Sequence, residues 1–218
     1  STSDVFIPDA SETPNDPILP TSTEIKSLTI EQGGILYGGY NTELTINGRL
    51  EDNYGTPSLS NSGLFIPETS TVTFTNGNAA VAGTIDFYNL IVPVDDTLRI
   101  INNSTIRIAG TLTVDGILRT VFDGPTTIEY NGDNQTVIIP NPSTNRYYNL
   151  ILSGTGTKTM PSSQLNILGD FQIAGTASAT AQEEINFIGN VTIDENATFS
   201  TGNFNHTILG NFENNGSF

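Results

Sequence analysis

Apolar and polar residues alternate in short runs along this chain: Leu44-Thr45-Ile46, Thr71 to Thr75, Ile106-Arg107-Ile108, Thr111 to Val114, Leu165-Asn166-Ile167 and Asn190 to Ile193. A period of two places the apolar members of each run on one side of an extended strand. No stretch of about a dozen residues holds apolar positions at i, i+3, i+4 and i+7 without an intervening Gly or Pro, so the pattern predicts almost no helix. The expected class is all-β.

The strands are copies of one another. An apolar-x-apolar-x-Gly-x-apolar pattern occurs at Leu44/Ile46/Gly48/Leu50, Ile106/Ile108/Gly110/Leu112, Leu165/Ile167/Gly169/Phe171 and Ile185/Phe187/Gly189/Val191, with an imperfect copy at His206/Ile208/Gly210/Phe212. Successive glycines are 62, 59, 20 and 21 residues apart, which reads as one or three units of about 20 residues. A longer copy lies over this one. Thr71 to Gly77 matches Thr126 to Gly132, and Phe87 to Val92 matches Tyr147 to Leu152.

A unit of about 20 residues built from strands and tight turns is too short for a sandwich or a propeller blade, but it suits one coil of a three-faced β-solenoid. The expected fold is a right-handed parallel β-helix, with an all-β sandwich array as the competing architecture. Handedness rests on the general preference of parallel crossovers. Roughly ten coils at about 4.8 Å each make a rod about 50 Å long. Gly48, Gly110, Gly169, Gly189 and Gly210 are read as corner glycines, in the inward phase where a Cβ would crowd the interior. Residues 1–22, with four prolines, read as a loose lead-in in which Asp4 to Pro8 resembles an edge strand, and 23–218 as the solenoid. Glu51 to Ser62 and Pro140 to Asn145 are expected to loop out at corners.

Composition narrows the chemistry. Seven Lys+Arg against 23 Asp+Glu give a net charge of −16, which disfavours nucleic acid. The absence of Cys removes disulfides and thiolate ligands, and no apolar stretch approaches the roughly 20 residues of a membrane span. The one histidine, His206, falls on the inward phase and reads as structural. Among carboxylates, the pairs Asp95-Asp96, Glu183-Glu184 and Asp194-Glu195 place neighbours on opposite sides of a strand. Asp115 converges with Asp123 or Asp170 only in a favourable register. Arg107, Arg119 and Lys158 are the basic residues available to a lyase, and none sits in a motif. No catalytic residue, no cofactor and no defined metal site are assigned; the charge suits diffuse calcium binding, and the Gly33-Gly34 pair lacks the repeat-toxin pattern. Asn47, Asn76, Asn131, Asn166, Asn186 and Asn190 are expected to form axial amide ladders. Tyr88, Tyr147 and Tyr148 are the candidate rings for sugar contact, with one of the adjacent pair pointing inward.

Three stretches carry a family resemblance. Asp4 to Pro8 with Lys26 to Gly34 and Leu44 to Gly48, Tyr147 to Gly154 with Thr157 to Thr159, and Gly210 to Phe218 resemble repeat regions of large secreted surface proteins of Bacteroidota. The resemblance implies export by the type IX system, a place on the cell surface, contact with the outer-membrane secretion machinery, and roles in adhesion or gliding. Asp96-Thr97-Leu98 resembles the short O-glycosylation sequon of such proteins, which makes Thr97 its acceptor. The expected function is a non-catalytic stalk or adhesive segment, with surface glycans or cell-surface proteins as partners. The alternative is a glycan-active β-helix that binds or cleaves polysaccharide. Both ends read as cuts through a longer protein.

Overall fold

A computed structural model describes residues 3–12, 15–48, 56–121 and 124–218. Its 27 strands pair in parallel, turn upon turn, as a β-solenoid of about nine turns with about 21 residues each. The only helical element among the described residues is the single turn Ala10–Glu12. At about 4.8 Å per turn the stack is about 45 Å long, slightly shorter than the sequence estimate.

Each turn visits three faces in a fixed order. The first face begins with Asp4–Ile7, Ser27–Ile30, Leu59–Asn61 and the first half of Asn78–Phe87, then Thr97–Ile100 and Ile117–Arg119. It resumes as Arg146–Tyr147, Leu165–Ile167, Ile185–Phe187 and Thr207–Ile208. The second face holds Ile35–Tyr37, Leu64–Ile66 and the second half of Asn78–Phe87. It then runs unbroken through Thr105–Ile108, Thr127–Tyr130, Asn149–Leu152, Phe171–Ile173, Val191–Ile193 and Phe212–Asn214. The third face runs from Ser22–Ile25 through Glu43–Ile46, Thr71–Phe74, Asn89–Val92 and Leu112–Val114, and resumes as Gln135–Thr136, Thr157–Thr159, Ser178–Thr180 and Thr198–Ser200.

The alternation seen in sequence is the burial pattern. In Thr105–Ile108, Ile106 and Ile108 are buried while Thr105 and Arg107 stay partly accessible, and the same order holds in Asn89–Val92 and Asn149–Leu152. Inward side chains stack on their counterparts one turn away, as Ile85, Ile106, Ile128 and Leu150 do, to build one continuous core. Towards the C-terminal end the core turns aromatic. Phe171 lies 5.1 Å from Phe187 and 5.3 Å from Phe199, between ring centroids.

The glycine spacings have a geometric meaning that sequence arithmetic did not predict. Gly48 follows a third-face strand, Gly110 a second-face strand, and Gly169, Gly189 and Gly210 follow first-face strands. The intervals of 62 and 59 residues therefore span two and two-thirds turns, not three, and each moves the glycine corner to a neighbouring edge of the prism. The reason for glycine also differs from the expected one. A Cβ on Gly189 would point along the axis and come within 3.0 Å of the Gly169 carbonyl group, and Gly210 stands in the same relation to Gly189. At these two positions the crowding comes from the backbone of the preceding turn, and at Gly169 from the Asn149 and Tyr148 side chains, not from the interior.

Two boundary expectations change. Asp4–Ile7 is a strand at the edge of the long sheet, paired with Ser27–Ile30, and Ile18 bridges to Tyr37, so the described part of residues 1–22 forms the opening turn rather than a separate wrap. Within Glu51 to Ser62, residues 51–55 lie outside the described residues, but Leu59–Asn61 is a first-face strand with Leu59 fully buried. This later part does not loop out, because Leu59 is the inward partner of both Leu28 and Val81. Pro140 to Asn145 does lie between strands, in a turn where the Asn141 carbonyl accepts from the amides of Thr144 and Asn145.

Candidate functional site

The candidate carboxylates are dispersed by the three-faced geometry. Asp115 follows a third-face strand and Asp170 precedes a second-face strand, so they occupy different edges and do not converge. Asp123 lies outside the described residues. Asp170 accepts hydrogen bonds from the backbone and side-chain nitrogens of Asn190, at 3.1 and 2.9 Å, and Asp194 accepts from Gln172 at 2.8 Å. Asp96 accepts from the Gly77 amide, beside Asp95, whose φ is 66°. Glu183 and Glu184 are partly accessible, and Glu195 is exposed. Among the described residues no three His, Asp or Glu side chains gather to hold a metal ion.

The amide ladders are real, though only some of the expected asparagines take part. Asn186 donates to Asn166 at 3.1 Å, and Asn76 donates to the Asn47 carbonyl at 2.9 Å. The longest ladder runs along the glycine corner. There Asn149 Oδ1 accepts from the Asp170 amide, Asp170 from the Asn190 amide, and Asn190 Oδ1 from the Asn211 amide. Each side chain thus binds the backbone one turn ahead at the place where chain direction changes.

The tyrosines do not form a platform. Tyr147 is fully buried; Tyr130 and Tyr147 share a hydroxyl–hydroxyl hydrogen bond of 3.0 Å, and Tyr147 donates to the Ile138 carbonyl. Burial pushes the Tyr130 phenol up to about 12 and the Tyr147 phenol well above its ordinary range. Tyr148 points away from the core, as the alternation requires, and its ring covers Gly169; Tyr88 stands in the same relation to Gly110. Because the glycine corner moves between the two copies, Tyr88 and Tyr148 lie on different edges. Thr97 is the first residue of Thr97–Ile100, paired with Asn78 and Ile117, and is partly accessible.

His206 is a structural end piece. Its Nδ1 accepts from the Ile185 amide at 3.0 Å, which makes Nε2 the protonated nitrogen that donates to the Thr201 carbonyl at 2.9 Å. The ring packs 6.3 Å from Phe187 and 6.4 Å from Phe199. Both imidazole nitrogens are consumed by the backbone.

The basic residues named from sequence, Arg107, Lys158 and Arg119, fall into three different environments. Arg107 stands outward on the second face in register between Asp86 and Glu129, 3.2 Å from each, so three turns are tied by one guanidinium. The two carboxylates raise its already high pKa against the opposing effect of burial. Lys158 is fully buried, on the inward phase of the third face. Its Nζ donates to the carbonyls of Gly132 and Asp133 at 2.7 and 2.8 Å and to Gln135 Oε1 at 2.8 Å. Gln135 Nε2 in turn donates to the carbonyls of Ile108 and Gly110, both at 2.8 Å. This network sits beside the break in third-face pairing between Leu112–Val114 and Gln135–Thr136, and it ties together the corner carbonyls of Ile108, Gly110, Gly132 and Asp133. Desolvation lowers the Lys158 pKa to about 8.

The third environment is a cleft of about 140 Å³ at the matching break in the first face, lined by Leu118, Arg119, Thr120, Val121, Asn141, Thr144 and Arg146. Arg119 is the register partner of Arg99, one turn earlier. Arg146 begins the resumed strand on the far side of the cleft, and Thr120 Oγ1 donates to its carbonyl at 2.7 Å. The Arg146 Nε is buried and has no hydrogen-bond partner. Of the residues singled out from sequence, Arg119 lies here, together with Asn141 and Thr144 of the Pro140 to Asn145 stretch expected to loop out. The missed signal was the one-turn interval between Leu98-Arg99 and Leu118-Arg119, which places both arginines at the same outward position.

No described helix is long and apolar enough to cross a membrane. No family model matches the chain, no curated protein matches it, and no solved structure matches it.

Proposed function

We propose that this chain is a non-catalytic structural rod, a stalk or adhesive segment of a large extracellular cell-surface protein. The observation that carries the reading is the second-face ladder. It pairs strand to strand without interruption from Asn78–Phe87 to Phe212–Asn214, and corner amides and the Arg107 ion pairs bind the same turns together. Such a lattice fixes the distance and orientation between whatever lies at its two ends. The dispersed carboxylates and backbone-bound imidazole support a positional role over a reaction, and the family-like repeats support a place on the cell surface among glycans and neighbouring surface proteins.

Antibody labelling of intact cells that make the protein, paired with incubation of the purified chain on a polysaccharide panel, tests the reading. Surface labelling without new reducing or unsaturated ends is the expected result. Turnover of any polysaccharide would instead establish a glycan-cleaving β-helix, and labelling only after lysis would remove the surface role.

A further inference from the structure

We propose that the first-face cleft between Arg119 and Arg146 binds the carboxylate of an acidic sugar, a uronate unit of a short saccharide. The chain has five arginines, and three of them, Arg99, Arg119 and Arg146, stand on this one face around the break in its pairing. Arg99 and Arg119 stand in register on adjacent strands, and Arg146 begins the strand that resumes beyond the break. Arg107 shows the alternative available to an arginine on this rod, a carboxylate in register on each side. Arg146 has no such partner, and its buried Nε is an unused donor at the wall of an open cleft. A guanidinium fork matches a carboxylate in two parallel hydrogen bonds, which an ammonium does not.

The rest of the lining selects the class of ligand. Thr120, Asn141 and Thr144 bring hydroxyl and amide groups, and among the described residues no acidic side chain lines the cleft. Asn141 and Thr144 sit on a turn held by three hydrogen bonds of its own, Asn141 Oδ1 accepting from the Ser143 amide at 3.0 Å and the Asn141 carbonyl from the amides of Thr144 and Asn145. The hydrogen-bonding surface is therefore set before ligand arrives. Val121 is partly accessible at the edge of the cleft, while the Leu118 side chain is buried in the core behind it. The volume is below the roughly 300 Å³ where pockets for drug-sized ligands begin, so one monosaccharide unit enters and the remainder of the saccharide lies outside. The net charge of −16 repels long polyanions and favours a short or sparsely charged chain. This inference does not depend on the positional role: a rod with or without the cleft spans the same distance.

The test is titration of the isotopically labelled full chain with trigalacturonate, read by amide and side-chain NMR shifts. Neutral galactotriose, sodium acetate and sodium sulfate are run at the same ionic strength. Saturable shifts at Asn141, Thr144 and Arg146 with trigalacturonate, absent with galactotriose and at least tenfold weaker with acetate and sulfate, are expected. Arg146→Gln should weaken trigalacturonate at least tenfold with an unchanged melting temperature. Arg146→Lys should retain only part of the affinity, and Arg107→Gln should bind as the parent does. Equal binding of acetate and trigalacturonate would overturn the sugar assignment. Absence of saturable shifts, or undiminished binding by a folded Arg146→Gln, would overturn the site.

Discussion

Replacing Gly189 by alanine tests the corner geometry with a single methyl group. The added Cβ would meet the carbonyl carbon and oxygen of Gly169 closer than 3.0 Å, and that atom pair is backbone held in the ladder on both sides. Neither can rotate away. Separating the two turns enough to relieve the contact adds an overpacking strain of about 1 to 3 kcal/mol and strains at least one axial hydrogen bond worth about 1 kcal/mol. Reduced freedom of the unfolded chain returns about 0.5 kcal/mol, so the expected net destabilisation is about 1.5 to 3.5 kcal/mol, or roughly 3 to 14 °C in a chain of this size. Two companion variants separate causes. At Gly169 the new Cβ meets the Asn149 amide and the Tyr148 ring, side chains that can shift at the cost of the Asn149–Asp170 hydrogen bond, so Gly169→Ala should lose less than Gly189→Ala. Gly77 has a φ of +90° with nothing within 4 Å of its Cβ position, so Gly77→Ala reports backbone strain alone, about 1 kcal/mol. Thermal and urea melts of the three variants provide the comparison. A Gly189→Ala protein within 0.5 kcal/mol of the parent, or one more stable than Gly169→Ala, would refute the close-approach argument.

Further expectations follow from the buried polar groups and the ion pairs. Lys158 has a folded pKa of about 8, below its ordinary 10.5, so above pH 8 the unfolded chain holds the proton that the folded chain has released, and stability should rise by about 2 kcal/mol from pH 8 to 10. A Lys158→Met variant should lack that rise in urea melts taken across the range. The phenols of Tyr130 and Tyr147 act in the opposite sense, because their raised folded pKa values mean stability is present below pH 10 and is lost as pH climbs towards 12. The curve should therefore turn over near pH 10. Tyr147→Phe leaves Ile138 O without its donor, and equilibrium unfolding at neutral pH should show a loss of about 1 to 3 kcal/mol. Arg107→Gln should lose about 1 kcal/mol at low salt, less than half of it persisting in 1 M NaCl, because the ion pairs are partly exposed and screened.

Much of this architecture was readable from residues alone, for a physical reason. A solenoid repeats the same local environment, so alternation at Ile106/Ile108 or Leu165/Ile167 reports burial directly, and a glycine every 20 or 21 residues reports a corner. Periodicity stops reporting position where the repeat changes edge. The intervals from Gly48 to Gly110 and from Gly110 to Gly169 look like three units, because a shift of one face removes only about seven residues and loops of variable length absorb the difference. Sequence spacing cannot tell a shortened turn from a displaced corner; strand register can. The same displacement interrupts the first and third faces, and the breaks hold two of the basic residues that sit in no motif, Lys158 beside Gln135 on one face and Arg119 across the cleft from Arg146 on the other. Tyr147 illustrates the remaining limit. Alternation shows that one of two adjacent rings turns inward, and only the position of the corner decides which.

The central claim, that the chain works as a stack of equivalent turns, is tested most directly by deleting one. Removing Asp170 to Gly189 joins Gly169 to Asn190, which occupies the same corner one turn later, and restores every inward position in phase. Circular dichroism and melting of this deletion are compared with those of a ten-residue deletion, Asp170 to Ala179, that puts the faces out of phase. The account predicts a folded, cooperative β protein with a melting temperature within several degrees of the parent for the whole-turn deletion, and loss of structure for the half-turn one. Loss of structure in both, or equal tolerance of both, would contradict it.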